Sequence, residues 1–190
     1  MKFNQQEIIS NVSTRLLEFN EILGYIKIEL YLEMEIHSKD FRDQVSLISI
    51  LKQVKNSTDP LIYIFECANF KDRHQLIENF RLYSKLNGSV IDGQSRLTTA
   101  RFNDTDSDVL YLGSVMGNFR GRIKQHLGWG HSKTYSLQLA KWDNEFSYSL
   151  NLQAFRICSD ENVLDRSFVE LIEQALWDNF NPVFGKKRGL

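Results

Sequence analysis

The stretch that decides the fold is Tyr111-Leu-Gly-Ser-Val-Met-Gly-Asn-Phe-Arg-Gly-Arg-Ile-Lys-Gln-His126. Its first residues continue the apolar run from Val109 and predict a short buried strand over Val109 to Gly113. A loop with two glycines follows, then a helix from about Gly117 to Leu127. On that helix Arg122 and His126 stand four residues apart and so share one face.

Working outward, Leu61 to Phe65 is short, β-branched and aromatic, and predicts a second buried strand. A helix over Asp72 to Leu86 follows, closed by Asn87-Gly88. Ser89 to Asp108 is rich in Gly, Ser, Thr, Asn and Asp and predicts a long surface loop with at most a short strand near Leu97 to Phe102. Downstream, Leu137, Leu139 and Trp142 suggest a helix near Thr134 to Trp142, and alternation through Phe146, Tyr148, Leu150 and Leu152 gives a third strand to about Cys158. A final helix runs from roughly Asn162 or Leu164 to Phe180.

Upstream, Ile8, Ile9, Val12, Leu16 and Leu17 recur at helical spacing from Gln5 to Phe19. Residues 25 to 36 alternate strictly, Ile26, Ile28, Leu30, Leu32, Met34 and Ile36 against Tyr25, Lys27, Glu29, Tyr31, Glu33 and Glu35. That is the period of a half-buried strand, although Glu and Leu also favour a helix. A helical pattern returns over Asp40 to Val54, and Lys55 to Pro60 breaks it. The boundary therefore falls there, with residues 1–57 as an accessory segment and 58–190 as the main domain.

The four stretches 61–63, 111–113, 113–126 and 173–182 together resemble the GIY-YIG nuclease family, over about residues 58 to 190. Leu61-Ile-Tyr63 is similar to the family's first element, with Leu61 in place of its glycine, and Tyr111-Leu-Gly113 to the second. Gly113 to His126 looks like the stretch that carries an arginine and then a histidine four residues on. It has one residue more than usual before Arg122, which leaves Arg120 as an alternative. Glu173-Gln-Ala-Leu-Trp-Asp-Asn-Phe-Asn-Pro182 resembles the late glutamate motif, with Glu170 one turn earlier as the alternative carboxylate, and Gly185 stands where the family has an asparagine. Relative to the family, nearly all of 67–108 is an insertion, which the slow growth of loop-closure entropy tolerates.

The resemblance implies an α/β (α+β) fold with a small, largely antiparallel three-stranded sheet flanked by helices, and a metal-dependent endonuclease acting on DNA. It assigns catalytic roles to Tyr63, Tyr111, Arg122, His126 and Glu173, with Glu173 as the protein ligand of Mg²⁺ or Mn²⁺. The chemistry agrees. Phosphodiester hydrolysis needs an activated water, charge relief at phosphorus and help for the leaving oxygen. A carboxylate holding the cation, an arginine forked on the phosphate and a tyrosine or histidine for the proton supply these. Either tyrosine could serve as the base. A fold of this kind that only binds nucleic acid is the alternative reading.

The formal net charge of the 190-residue chain is −1, so affinity for DNA must be local. From Gly113 to Lys141 there is no Asp or Glu, whereas Arg120, Arg122, Lys124, Lys133 and Lys141 are present with His126 and His131. Phe119, Trp129 and Tyr135 interleave, Trp129 being the candidate for stacking on a base, and Lys186 to Arg188 could extend the strip. Cys67 and Cys158 are too few and too far apart for a CxxC-type zinc site and are expected to be buried small hydrophobes. The N-terminus lacks the features of a secretory signal, and no apolar run is of bilayer length, so a cytoplasmic protein without membrane contact is expected. The N-terminal segment, residues 25 to 36 in particular, is a candidate homodimer surface.

Overall fold

The computed structural model describes residues 4–88, 96–160 and 163–187. The start of the expected loop at Ser89, the possible helix start at Asn162 and Arg188 of the basic tail lie outside these. In chain order the elements are α1 (Gln5–Leu23), β1 (Ile26–His37), α2 (Ser38–Arg42), α3 (Gln44–Gln53), β2 (Leu61–Cys67), α4 (Phe70–Gly88), β3 (Val109–Val115), α5 (Phe119–Lys124), a π-helical turn (Gln125–Trp129), a 3-10 turn (Leu139–Lys141), β4 (Ser149–Ser159) and α6 (Arg166–Phe180). The fold is α+β. Among the described residues no helix is long and apolar enough to cross a membrane.

The sheet has four antiparallel strands in the order β1-β4-β2-β3, one more than the sequence led us to expect. The extra strand is β1, the alternating segment read as accessory. It pairs along its whole length with β4, for instance Met34 with Leu152, and a bulge between Leu30 and Leu32 shifts the register once. Nothing local encodes that pairing, since the partner lies more than a hundred residues downstream. The segment after β1 is equally integrated: Phe41, Leu47, Ile50 and Val54 are buried in the cluster that contains Tyr63, Phe65 and Tyr111. Residues 26–54 thus share the main core rather than forming a separate unit ending at 57.

The sheet buries both faces. One meets α2, α3, α4 and α5 through the large cluster around Phe65, Phe119 and Leu152. The other meets α6 through Ile62, Ile64 and Leu112 against Phe168, Val169 and Leu176. Much of the 67–108 insertion is therefore core, because α4 contributes Leu76, Ile77 and Phe80. Beyond it the described residues 96–108 form no regular strand, making single bridges from Thr99 to Ser136 and from Phe102 to Phe184.

Two other expectations fail. No helix spans 134–142: Gln138 adopts a left-handed conformation (φ 57), and only the 3-10 turn at 139–141 forms. Leu137, Leu139 and Trp142 are buried as anticipated, but from an irregular segment pinned by the Ser136 bridge. The two cysteines are half-buried rather than buried, and burial pushes the Cys67 thiol pKa up to about 12.

If 26–54 belongs to the core, Phe41→Ala should cost about 3–5 kcal/mol. Val45→Ala, at a position 74% exposed, should change the urea unfolding midpoint little. Equal, small effects would show that this segment folds apart from the rest.

Candidate active site

The site begins with the register of β2 on β3. Tyr63 lies opposite Gly113 on one side and Ala154 on the other, and two small neighbours give its ring room on the sheet surface. Tyr111 sits diagonally across on the same face, and the two rings stack with centroids 6.1 Å apart and an interplanar angle of 20°. Gly113 is required there. A Cβ at that position would lie 2.8 Å from Tyr111 Cε1 and 2.9 Å from Tyr63 Oη.

Arg122 closes over the pair. Asn118 caps α5 by accepting from the Gly121 amide, and one turn later the Arg122 guanidinium reaches back to the sheet. Its Nε donates to Tyr63 Oη at 3.1 Å and its Nη2 to Tyr111 Oη at 3.2 Å, while Nη1 donates to Gln125 Oε1 and to the Tyr135 carbonyl. Arg120 has a different task. Its Nε donates to the Val54 carbonyl and its amide to Asn56 Oδ1, tying α5 to the turn after α3. Of the two arginines, Arg122 faces the tyrosines and Arg120 faces the turn after α3.

The chain then widens into the π-helical turn, in which His126 is fully buried. The Leu137 amide donates to His126 Nδ1 at 3.2 Å, so the ring proton resides on Nε2, which donates to Tyr63 Oη at 3.0 Å. Both nitrogens are committed. Burial, and then the neighbouring Arg122 charge, hold the His126 pKa well below its usual value, so the ring is neutral. Burial likewise raises both tyrosine pKa values, Tyr63 most, against the opposing pull of Arg122, so both are phenols at neutral pH. For Arg122 burial alone would lower the pKa, but the two phenol oxygens outweigh it and keep the guanidinium charged.

Glu173 arrives from the other face of the sheet. Asp165 caps α6, which packs against β3 and presents Glu173 to the Ser114 hydroxyl, which donates to its Oε2. Ser114 follows Gly113 on the strand and so points to the α6 face, whereas Tyr111 and Gly113 point to the α5 face. The groups meet across the outer edge of β3. Segment 183–185 covers the start of that edge, with the Val183 and Phe184 amides donating to Val109 and Leu110. Beyond it opens a cleft of about 440 Å³ lined by Tyr111, Leu112, Gly113, Ser114, Arg122, Tyr135, Glu173 and Lys186. Tyr63 and His126 lie behind this lining.

The sequence did not single out Ser114, and it touched Lys186 only as part of a basic tail. Alternation along β3 was the available signal for Ser114, since it shares a face with Leu112. Of the expected nucleic-acid contacts, Lys124, His131 and Lys133 are exposed. Lys141 lines a separate pocket with Asn79 and Trp142. Trp129 is half-buried, and its indole N–H donates to the Phe41 carbonyl at 2.6 Å, which ties the ring to α2. Gly185 has φ +126, and a Cβ there would meet Trp177 at 2.8 Å. Asn103 steadies this turn from elsewhere in the chain through the Pro182 and Gly185 carbonyls.

A cation fits this cleft in one way. Among the described residues no group of three or more His, Cys, Asp and Glu side chains converges. Glu173, with the Ser114 hydroxyl beside it, offers hard oxygen donors of the kind Mg²⁺ accepts together with water and phosphate oxygens.

No family model matches the chain, and no curated protein or solved structure matches it.

Because the His126 pKa is lower in the folded chain than in the unfolded one, its stabilising contribution is full above about pH 6.5 and declines as pH falls toward the folded value. Unfolding free energy should therefore fall by up to about 1.4 kcal/mol per pH unit below that point from this group alone. In His126→Gln, which cannot titrate, the descent in chemical-denaturation experiments should be shallower by that amount; an unchanged slope would mean that the imidazole is not held neutral. Gly113→Ala should destabilise the fold by about 1–3 kcal/mol by forcing the two tyrosine rings apart. A near-neutral effect in the same measurement would show that the pair has slack.

Proposed function

We propose that the chain is a metal-dependent endonuclease of the GIY-YIG type that hydrolyses DNA phosphodiester bonds. One observation carries this reading: Arg122 is largely buried and charged, yet among the described residues it forms no ion pair, only hydrogen bonds to neutral oxygens. A buried cation ordinarily has an anionic partner, and one held by neutral acceptors at a cleft wall keeps its charge for an anion that arrives from outside. A phosphodiester is such an anion.

Roles follow from what each group has left to offer. Four of the five guanidinium N–H groups are engaged, so Arg122 supplies a fixed positive charge and one Nη2 donor rather than a two-pronged fork. Tyr111 lines the cleft, and its phenol proton can orient the attacking water or a non-bridging oxygen. Tyr63 is sealed in, and its oxygen accepts from both Arg122 and His126; those two contacts make it a positioning residue for the guanidinium, with His126 bracing it from behind. Glu173 would hold Mg²⁺ or Mn²⁺, and such an ion supplies Lewis-acid charge at the phosphate and a more acidic bound water. Lys186 at the cleft and exposed Lys124 and Lys133 suit the flanking DNA backbone, contacts that fix position without reading sequence.

A second reading, a nucleic-acid-binding module of the same fold, is favoured by one observation. At rest both tyrosines are protonated and both His126 nitrogens are taken, so none of these three groups is a free base.

With plasmid DNA and Mg²⁺ or Mn²⁺, wild type should cleave, EDTA should stop cleavage, and Glu173→Ala should abolish it. Arg122→Ala should lower the rate on the order of 100-fold or more, as loss of a transition-state donor does, whereas Arg120→Ala should stay within a few-fold of wild type. Binding that weakens steeply with salt, without cleavage in either metal, would replace the first reading by the second.

A further inference from the structure

We infer that Arg101, carried by the 67–108 segment, holds a DNA phosphate flanking the one at Arg122; this rests on the reading of the cleft as a DNA site. Outside the edge of β3 the chain adds two further ribbons. Segment 183–185 lies on Val109 and Leu110, and 101–103 lies in turn on 183–185. The Gly185 amide donates to the Arg101 carbonyl at 2.8 Å, and the Asn103 amide to the Val183 carbonyl at 2.7 Å. Just upstream, 98–100 runs beside 132–136, with the Thr98 amide donating to the Ser132 carbonyl and the Ala100 amide to the Ser136 carbonyl. Arg101 stands where the ribbon passes from one neighbour to the other, and its own amide donates to Tyr135 Oη at 3.0 Å. Tyr135 and Lys186 both line the cleft. The Arg101 backbone is therefore bonded to one lining residue and to the residue next to the other, which sets it at the rim.

Its side chain faces away from the core. Ala100 is buried and Phe102 packs on Phe80 and Phe184, so alternation along the extended ribbon turns Arg101 outward, where it is exposed. What distinguishes it is that its charge is unspent. Three other solvent-accessible arginines, Arg15, Arg81 and Arg156, each pair with two carboxylates of this chain. Among the described residues the Arg101 guanidinium has neither an ion pair nor a hydrogen bond. The cause is local: the segments that meet here, 96–103, 113–141 and 179–187, contain no Asp or Glu. The acids just beyond them are taken, Asp104 by Arg81 and Asp178 by Lys187.

Exposed Lys133 and Lys186 add like charge on the adjoining segments, so the rim favours an anion from outside the chain. A guanidinium forks onto phosphate oxygens, and one whose backbone is already fixed on both sides loses less freedom on binding. Arg122 has only one donor left for a ligand, so a strand lying along the cleft gains at Arg101 the two-pronged grip that Arg122 cannot give. Such a contact positions the backbone without reading sequence.

The test is the salt dependence of DNA binding by the full chain, read by fluorescence anisotropy on a short duplex in EDTA so that nothing is cut. Arg101→Ala should take about one unit from the slope of log affinity against log salt and weaken binding alike on unrelated sequences. Arg101→Lys, which keeps the charge, should retain the slope. Lys27→Ala should retain it too, because β1 is the opposite edge of the sheet from β3. An unchanged slope in Arg101→Ala, or an equal loss in Lys27→Ala, would overturn the inference. Cleavage separates this from the nuclease reading. A wild type that binds DNA, cuts none in Mg²⁺ or Mn²⁺ and loses slope in Arg101→Ala would support the contact and remove the nuclease reading. A wild type that cuts while Arg101→Ala keeps the full slope would remove the contact alone, and one that binds no DNA at low salt would remove both.

Discussion

A charged guanidinium held between two phenols is the constraint on which the site depends. Desolvating Arg122 is costly, and the chain offsets that cost with four hydrogen bonds to neutral oxygens instead of a carboxylate. Each of those acceptors must then be held in place. Tyr63 and Tyr111 are held by strand register and by the missing side chain of Gly113. The Tyr135 carbonyl is held by the irregular segment that returns under the π-helical turn, and the Tyr63 oxygen by a histidine whose tautomer a backbone amide dictates. The π turn that buries His126 follows directly on α5, which carries Arg122, and Gly128 at φ +101 lies within it against Ala140.

The sequence makes part of this legible, and the reason differs by element. The two strands at 61–65 and 109–113, the helix with Arg122 and His126 on one face and the late helix with Glu173 are all encoded by local periodicity, which carries enough signal by itself. The fourth strand is different. Its alternation over 25–36 is plain, but its membership in the sheet rests on β4, far downstream, and no local pattern specifies that partner. The helix expected over 134–142 fails for the converse reason: apolar residues at helical spacing there are buried by a bridge and a left-handed residue, with tertiary contacts overriding the period.

The positions at which the sequence differs from the GIY-YIG motifs it resembles have structural roles of their own. Leu61, where a glycine would be expected, is a fully buried strand residue paired with Val115 and Arg156. The long segment between the first two motif strands is not a passive loop, because α4 covers the sheet with Leu76 and Phe80, and Phe80 stacks edge to face on Phe184 at 4.8 Å. That contact links the insertion to segment 183–185 and hence to the edge of β3 where the cleft begins. Entropy lost in closing the longer connection is offset by apolar burial at its far end.

The division of labour between the sheet faces bears on how the cleft works. Arg122 and the tyrosines belong to the tightly packed α5 face, whereas Glu173 and Ser114 belong to the α6 face, and one strand edge separates them. The spacing between the positive charge and the carboxylate is thus set by a β-strand and the two helices packed on its opposite sides, with little contribution from loop conformation. An anion in this cleft can take the Arg122 donor directly, whereas it can engage the Glu173 carboxylate only through a cation, because like-charged oxygens repel. Under the proposed nuclease function, a phosphodiester would meet Arg122 and a divalent cation would join it to Glu173.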